Sequence, residues 1–428
     1  LKFIKSILNN PIFKVSSLNT FSVLIKIAGG LLASKMIAVF IGPSGLALVG
    51  NFRNFIRQVE VFGTLGFENG IIKYIAENEN DNKKKERVIT TVFYSVFATI
   101  IVLSLLLLFF AGYLSELFFG KEHEYNWIFR VMILALPWYI GNIIFVSILN
   151  GLSRYKEVIK INIWGNITGV LLSAVLIWQL RVSGALLGLV ISPSLMFFIS
   201  FFLLRKQLGS FSFLSIKNFD KSILRGLSSY SLMSLVTTAI GPVVAISIRT
   251  HLIDNYSGNE AGFWEAINRI SFFYLMFVST LLTVYFFPKL SSAKTDKETG
   301  RVFWSYYKTI VPVFGLGLVL IFVLKNFIVR LLFNEDFSPM TNLFLWQLVG
   351  DFFKVCAFIL GYEFFAKKMT KEFIITDVMS YVILYFSSHY LIKLYGSEGA
   401  VMGHAITYFV YLLVLVYYFR KKLFSRTA

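Results

Sequence analysis

Residues 88–112 read VITTVFYSVFATIIVLSLLLLFFAG, twenty-five positions without one charged side chain. A helix needs about 20 predominantly apolar residues to cross a bilayer, so this stretch is read as a membrane span. Eleven more windows of the same kind lie along the chain, near 15–40, 45–72, 128–150, 158–180, 184–204, 226–252, 262–288, 302–324, 339–366, 372–393 and 398–420. The second, eighth and tenth carry enough charge to be marginal by hydropathy alone. The whole chain, 57% apolar, 17% aromatic and 15% charged over 428 residues, is far more apolar than a soluble domain, where about a quarter of residues are charged. The fold expected is therefore an all-α integral membrane protein of about twelve transmembrane helices.

The distribution of positive charge orients these helices. The formal charge of +18 raises the question of nucleic acid, but the basic residues cluster in alternate loops. With both termini cytoplasmic, the inner segments hold 27 Lys and Arg, whereas the outer loops hold five: Lys121, Arg181, Lys325, Arg330 and Lys393. Cytoplasmic loops are the ones enriched in Lys and Arg. The basic excess is thus a topology signal, and no nucleic-acid partner is expected. Lys2, Lys5 and Lys14 precede the first apolar run, which is too long for a signal-peptide core and is expected to be retained. A single cysteine, Cys356, excludes a disulfide framework within the chain.

The second half repeats the first at an offset of about 215 residues. Gly45-Leu-Ala-Leu-Val-Gly-Asn51 aligns with Gly262-Phe-Trp-Glu-Ala-Ile-Asn268, and Lys85-Glu-Arg-Val88 with Glu298-Thr-Gly-Arg-Val302. Leu117-Phe-Phe-Gly120 matches Leu331-Leu-Phe-Asn334, and Lys156-Glu-Val-Ile159 matches Lys371-Glu-Phe-Ile374. Gly184-Ala-Leu-Leu-Gly188 pairs with Gly399-Ala-Val-Met-Gly403. Six helices per half make the repeats parallel, one of the known plans for transporters, with substrate bound between the halves. The expected organisation is an N-terminal lobe over 1–208 and a C-terminal lobe over 209–428, joined by the basic stretch from Arg205 and Lys206 to Lys221 and Arg225. No predicted loop has room for a soluble catalytic domain. His123, His251, His389 and His404 fall on different elements, which gives a zinc site little support. The chain is expected to be a transporter and not an enzyme, with no bound cofactor.

Nine cations fall inside predicted spans: Lys26, Lys35, Arg53, Arg57, Arg130, Arg249, Arg269, Lys308 and Lys354. Those near helix ends can snorkel to the interface. A charge near the bilayer centre costs at least about 2.5–3.5 kcal/mol unless it faces water or a partner. On a helical wheel Arg53, Arg57, Glu60 and Glu68 fall within about 80° of one another. Lys26 shares a face with Asn19 and Ser22. Gln347, Asp351 and Lys354 form a similar stripe in the tenth window, and Glu265, Asn268, Arg269, Thr280 and Thr283 one in the eighth. Two readings stand side by side. In one, these are buried ion pairs, Arg57 with Glu60 and Asp351 with Lys354. In the other, Lys26, Arg53, Arg57, Arg249, Arg269 and Lys354 line a hydrated cavity for an anion, since Arg in particular grips phosphate oxygens. The first lobe has an excess of two cations. The second sets Arg249, Arg269 and Lys354 against Glu265, Asp351, Glu363 and Asp377, an excess of one anion. Glu60, Glu265 and Asp351 are candidates for balancing charge or for binding protons or sodium ions during transport.

Lys26-Ile-Ala-Gly-Gly-Leu-Leu, Ile41-Gly-Pro-Ser-Gly-Leu, Asn51-Phe-Arg53, Asn69-Gly-Ile-Ile-Lys-Tyr74 and, most specifically, Trp346-Gln-Leu-Val-Gly-Asp351-Phe-Phe-Lys354 resemble the O-antigen translocase family, on its branch of lipid III flippases. The resemblance implies a MATE-like fold of two six-helix lobes within the multidrug/oligosaccharidyl-lipid/polysaccharide (MOP) exporter superfamily. It implies a multi-pass, monomeric protein of the bacterial cytoplasmic membrane. Its substrate would be an undecaprenyl-pyrophosphate-linked oligosaccharide of the O-antigen or enterobacterial-common-antigen type, moved from the inner to the outer leaflet by alternating access. Polymerase and chain-length proteins of the same pathway would be its neighbours, alongside membrane lipid. The rival readings are a cation-coupled multidrug exporter of the same fold and a membrane-embedded polysaccharide polymerase or ligase. A drug exporter is expected to carry carboxylates and aromatics where this chain has Lys26, Arg53 and Arg57. A polymerase or ligase is expected to carry a large external loop, which this chain lacks.

Overall fold

The structure is a computed structural model that describes residues 11–78, 81–120, 125–209 and 214–424. Lys2, Lys5, Lys121, His123 and Arg426 lie outside the described residues, as do the side chains of Lys14, Asn19 and Ser22. No strand occurs among the described residues. The helices are α1 (Pro11–Phe40), α2 (Gly42–Gly63), α3 (Glu68–Glu77), α4 (Asn82–Phe119), α5 (Asn126–Gly151), α6 (Tyr155–Leu208) and α7 (Lys221–Asn255). After them come α8 (Gly258–Leu281), which runs through a π turn (Leu282–Phe286) into α9 (Phe287–Ser292), then α10 (Asp296–Val323) and α11 (Lys325–Leu332). A 3-10 segment (Glu335–Leu343) leads into α12 (Phe344–Ala366), α13 (Thr370–Tyr418) and α14 (Arg420–Phe424).

Two of these helices are broken at a single residue: α6 at Arg181 (φ 53°, ψ −124°) and α13 at Gly396 (φ 58°, ψ −137°). With each counted as two, and α8 and α9 as one, the described residues contain twelve long helices. Six stretches are long and apolar enough to cross a membrane by length and composition: α4, α5, α6, α10, Glu335–Ala366 and α13. Their outer faces are apolar. Along α10, Val313, Leu316, Leu320 and Val323 recur at helical spacing with 69%, 73%, 59% and 70% of their surface exposed. Such a stripe is what lipid, not water, solvates. The chain is a multi-pass membrane protein.

Local chemistry sets where the helices begin. Asp81 caps α4 by accepting from the Lys84 N–H, and Ser257 caps α8 by accepting from that of Glu260. Thr295 and Glu298 form a reciprocal capping box at the start of α10. Before α7, Asp220 accepts from the Ser222 hydroxyl at 2.7 Å and from the Ser222 and Ile223 amides. These bonds, the hydroxyl first, hold its carboxyl below the usual carboxylate range.

The second predicted span needs correction. Instead of running to residue 72, α2 ends at Gly63, and Leu65 (φ 57°) and Gly66 (φ 62°) turn the chain into α3. The Thr64 hydroxyl braces the turn, accepting from the Gly66 amide and bonding Glu68 Oε1 at 3.3 Å. Glu68 therefore heads a separate helix, and a wheel drawn through a continuous helix does not place it on the stripe of Arg53, Arg57 and Glu60.

The chain forms two compact units. One comprises Leu1–Phe40 with Asn51–Ala239, and the other Ile41–Gly50 with Ile240–Ala428. An aromatic cluster of Phe52, Phe55, Phe118, Phe119 and Phe129 sits in the first. In the second, Phe286, Phe303, Tyr306, Phe364 and Phe419 pack with Leu282, Val355 and Leu360. The internal repeat is visible in the backbone of both. The breaks at Arg181 and Gly396 are 215 residues apart, as are the left-handed turns at Ser153 (φ 58°) and Lys368 (φ 56°). Gly184 lies against the carbonyl of Leu176 as Gly399 lies against that of Leu391. Gly188 faces Ser173 as Gly403 faces Ser388.

Candidate functional site

In the second unit the predicted charges gather into two buried polar groups. The first is built on α7 and α8. Glu265 and Arg269 are one helical turn apart, and Arg269 Nε donates to Glu265 Oε1 at 3.1 Å. Arg249 reaches across from α7 and donates through Nη2 to the other carboxylate oxygen at 2.5 Å. Trp264 lies 5.3 Å from the Arg249 guanidinium carbon. All three charged residues are buried, Arg249 to 1% exposure. Gly50 closes this group, because a Cβ there would stand 2.7 Å from the Glu265 carboxyl carbon. At Gly50 the backbone approaches the carboxylate without a side chain between them.

The second group is centred on Asp351, which has no exposed surface. Its Oδ2 accepts from Ser271, Tyr274 and Gln347, the last at 3.2 Å, and its Oδ1 faces His404 Nε2 at 2.9 Å. A carboxylate only accepts, so Nε2 is the protonated nitrogen of His404 in this contact. Gly350 makes the approach feasible: a Cβ there would lie 2.3 Å from His404 Cδ2 and 3.0 Å from Ala405 Cα. The Trp346–Lys354 motif can now be read residue by residue. Gln347 binds the aspartate one turn along, Gly350 admits α13, Asp351 meets His404, and Lys354 places its ammonium 4.7 Å from the Tyr408 ring centre. Asp351 is therefore hydrogen-bonded by His404 and three neutral donors, while Lys354, one turn along α12, acts on it through its charge.

The charge count of this lobe also changes. Glu363, fully buried, accepts from Lys422 Nζ at 2.8 Å, and Asp296 lies 3.7 Å from the same ammonium. Lys422 lies beyond the last predicted span, and α14 folds it back onto α12, which neutralises the excess carboxylate.

In the first unit, Glu60 accepts from the Tyr139 hydroxyl of α5 at 3.0 Å, and the charges of Arg57 and Lys26 act on it. Lys26 and Arg57 are exposed side chains, and Arg53 and Glu60 are half-buried. Lys26, Arg57 and Glu60 thus form one electrostatic neighbourhood, with Arg53 a turn away on α2. The partners that sequence reasoning missed are Tyr139, Ser271, Tyr274 and His404. All but Ser271 are amphipathic rings that carry no formal charge or titrate near neutrality, so a search for charges in apolar windows passes over them. Ser271-x-x-Tyr274 does stand at the i, i+3 spacing of one helix face.

Comparison with known proteins agrees with this architecture. Residues 14–294 match the family model described as polysaccharide biosynthesis protein. The chain is 31% identical over 402 residues to the lipid III flippase of Escherichia coli (strain K12), covering 93% of this chain and 95% of that protein. Among solved structures, an inward-facing MATE family multidrug resistance transporter of the MOP superfamily is similar with a TM-score of 0.75 at 15% identity, covering 95% of this chain and 96% of that one. Lipid II flippase MurJ in an inward closed conformation is similar with a TM-score of 0.74 at 18% identity, covering 96% of this chain and 90% of that one. The two structural likenesses speak for the fold, which is MATE-like. The sequence likeness runs nearly end to end, and by it the chain belongs to the polysaccharide biosynthesis protein family, alongside the lipid III flippase.

Proposed function

We propose that this protein is a flippase that moves an undecaprenyl-pyrophosphate-linked oligosaccharide, of the O-antigen or enterobacterial-common-antigen kind, from the inner to the outer leaflet of the bacterial cytoplasmic membrane. The observation that carries the reading is the 31% identity to a lipid III flippase over 93% of the chain. The placement of charge supports it. A diphosphate headgroup cannot cross hydrocarbon unaided, and Arg is suited to its oxygens by geometry and by permanent charge. Lys26, Arg53 and Arg57 in the first unit, and Arg249, Arg269 and Lys354 in the second, supply those cations. Transport is by alternating access of a monomer, with Glu60, Glu265 and Asp351 as the groups that exchange protons or sodium ions with the gradient. No covalent step is required of any residue. Polymerase and chain-length proteins would receive the product.

The test is leaflet accessibility of a labelled undecaprenyl-pyrophosphate oligosaccharide in proteoliposomes. Movement should depend on the protein. It should fall by about tenfold or more in Arg53→Ala or Arg57→Ala, the loss of one charge-assisted contact to phosphate, while both variants still insert. Wild-type flipping by both variants would remove the cationic cavity from the proposal. No movement under any gradient, together with drug efflux, would make the multidrug exporter the better reading.

A further inference from the structure

Glu265 occupies an unusual position for a counter-ion. Its two oxygens are divided between two guanidiniums, Arg249 at 2.5 Å and Arg269 at 3.1 Å. The three side chains together carry one net positive charge, and each has 7% or less of its surface exposed. A carboxylate bridging two arginines presents two acceptor oxygens on one atom, as two non-bridging oxygens of a phosphate do. Guanidinium binds both anions with the same charge-assisted geometry. Gly50 of α2 brings bare backbone close to this carboxyl, where a Cβ would stand 2.7 Å from its carbon.

From this geometry we infer that Glu265 is a displaceable internal anion, holding Arg249 and Arg269 in the positions where they take the diphosphate of the substrate, and giving them up when that group arrives. The inference rests on the flippase reading for the identity of the ligand. Glu265 is then a positioning residue, which sets the affinity of the arginine pair without itself contacting phosphate. Its presence solves two problems at once. Two guanidiniums buried side by side repel each other when the site is empty, and the carboxylate prevents that. A permanently bound diphosphate would not be released, and the returning carboxylate competes it off. Such competition weakens binding while keeping the site folded.

The experiment compares wild type, Glu265→Gln, Glu265→Asp and Arg249→Gln, purified in detergent, with two probes: inorganic pyrophosphate and farnesyl pyrophosphate. Binding is read by calorimetry and by thermal unfolding. Glu265→Gln keeps the shape of the side chain but removes the competing charge. It should melt below wild type without ligand, regain the difference when diphosphate is added, and bind about tenfold tighter than wild type. Glu265→Asp, still charged but too short to bridge both arginines, should fall between them and serves if the glutamine variant accumulates poorly. Arg249→Gln should bind neither probe. A gain with both probes assigns the site to the diphosphate group itself, a gain with farnesyl pyrophosphate alone to a lipid-borne headgroup, and a gain with inorganic pyrophosphate alone to a free anion. Unchanged or weaker binding in both glutamate variants, with wild type still flipping lipid-linked oligosaccharide, would overturn the displaceable anion and leave the flippase intact. Wild type that neither binds a probe nor flips would overturn both.

Discussion

Asp351→Ala is expected to destabilise the second unit by about 3–5 kcal/mol and to stop transport. Four donors converge on this carboxylate, from Ser271, Tyr274, Gln347 and His404, at a position with no exposed surface. Each donor left without an acceptor costs about 1–3 kcal/mol, and the hydroxyls recover part of this by rotating. Thermal unfolding of the purified protein measures the loss. Asp351→Asn separates hydrogen bonding from charge, because the amide oxygen still accepts from two or three of the donors. It should keep most of the stability yet lose the dependence of transport on the ion gradient, as measured in proteoliposomes. Full gradient-driven transport by Asp351→Asn would show that the carboxylate is a structural acceptor and nothing more.

Gly184→Ala and Gly399→Ala should each cost about 3 kcal/mol, at the upper end of what overpacking usually costs. A Cβ at Gly184 would lie 1.9 Å from the carbonyl oxygen of Leu176, and one at Gly399 would lie 2.2 Å from that of Leu391. Backbone cannot yield as the end of a flexible side chain does. The measure is the melting temperature of each variant in detergent, with Gly317→Ala on α10, where a Cβ meets nothing within 4 Å, as the control. Equal melting of all three would show that the helices on either side of the breaks relax apart freely.

These two glycines also mark how far the fold was legible. Gly184-Ala-Leu-Leu-Gly188 and Gly399-Ala-Val-Met-Gly403 were matched by spacing alone. The structure gives the reason for the match, a sharp break three residues earlier and a helix returning close enough to exclude any side chain. Close approach of this kind leaves a residue-level trace, because only glycine satisfies it. The end of α2 also left a trace, Gly63 and Gly66, but the apolar residues that continue through Phe67 to Ile72 read as more helix. Hydropathy does not distinguish a helix that goes on from one that turns back in the same membrane. The site was legible only as far as charge. Lys26, Arg53, Arg57, Arg249, Glu265, Arg269, Asp351 and Lys354 stood out because apolar surroundings make each of them expensive. Their pairings did not, since His404 is 53 positions from Asp351 and Tyr139 is 79 from Glu60. Spacing within one helix suggested Lys354 for Asp351, whereas a partner on another helix was better placed.

The π turn between α8 and α9 has a mechanical side. Pro288 lacks the N–H that an α-helix would aim at the carbonyl four residues earlier, and the ladder widens just before it, over Leu282–Phe286. A widened turn of this sort works as a slip joint. When such a turn closes into plain α-helix or opens again, everything beyond it rotates by about 100°, the angle each residue subtends, and only the hydrogen bonds of that one turn have to change partners. Above the joint stand Glu265, Arg269, Ser271 and Tyr274; below it stand Lys289 and the apolar Leu290. The two ends of this rod can therefore answer to different surroundings, one gripping charge and the other turning in its packing, without the rod breaking between them.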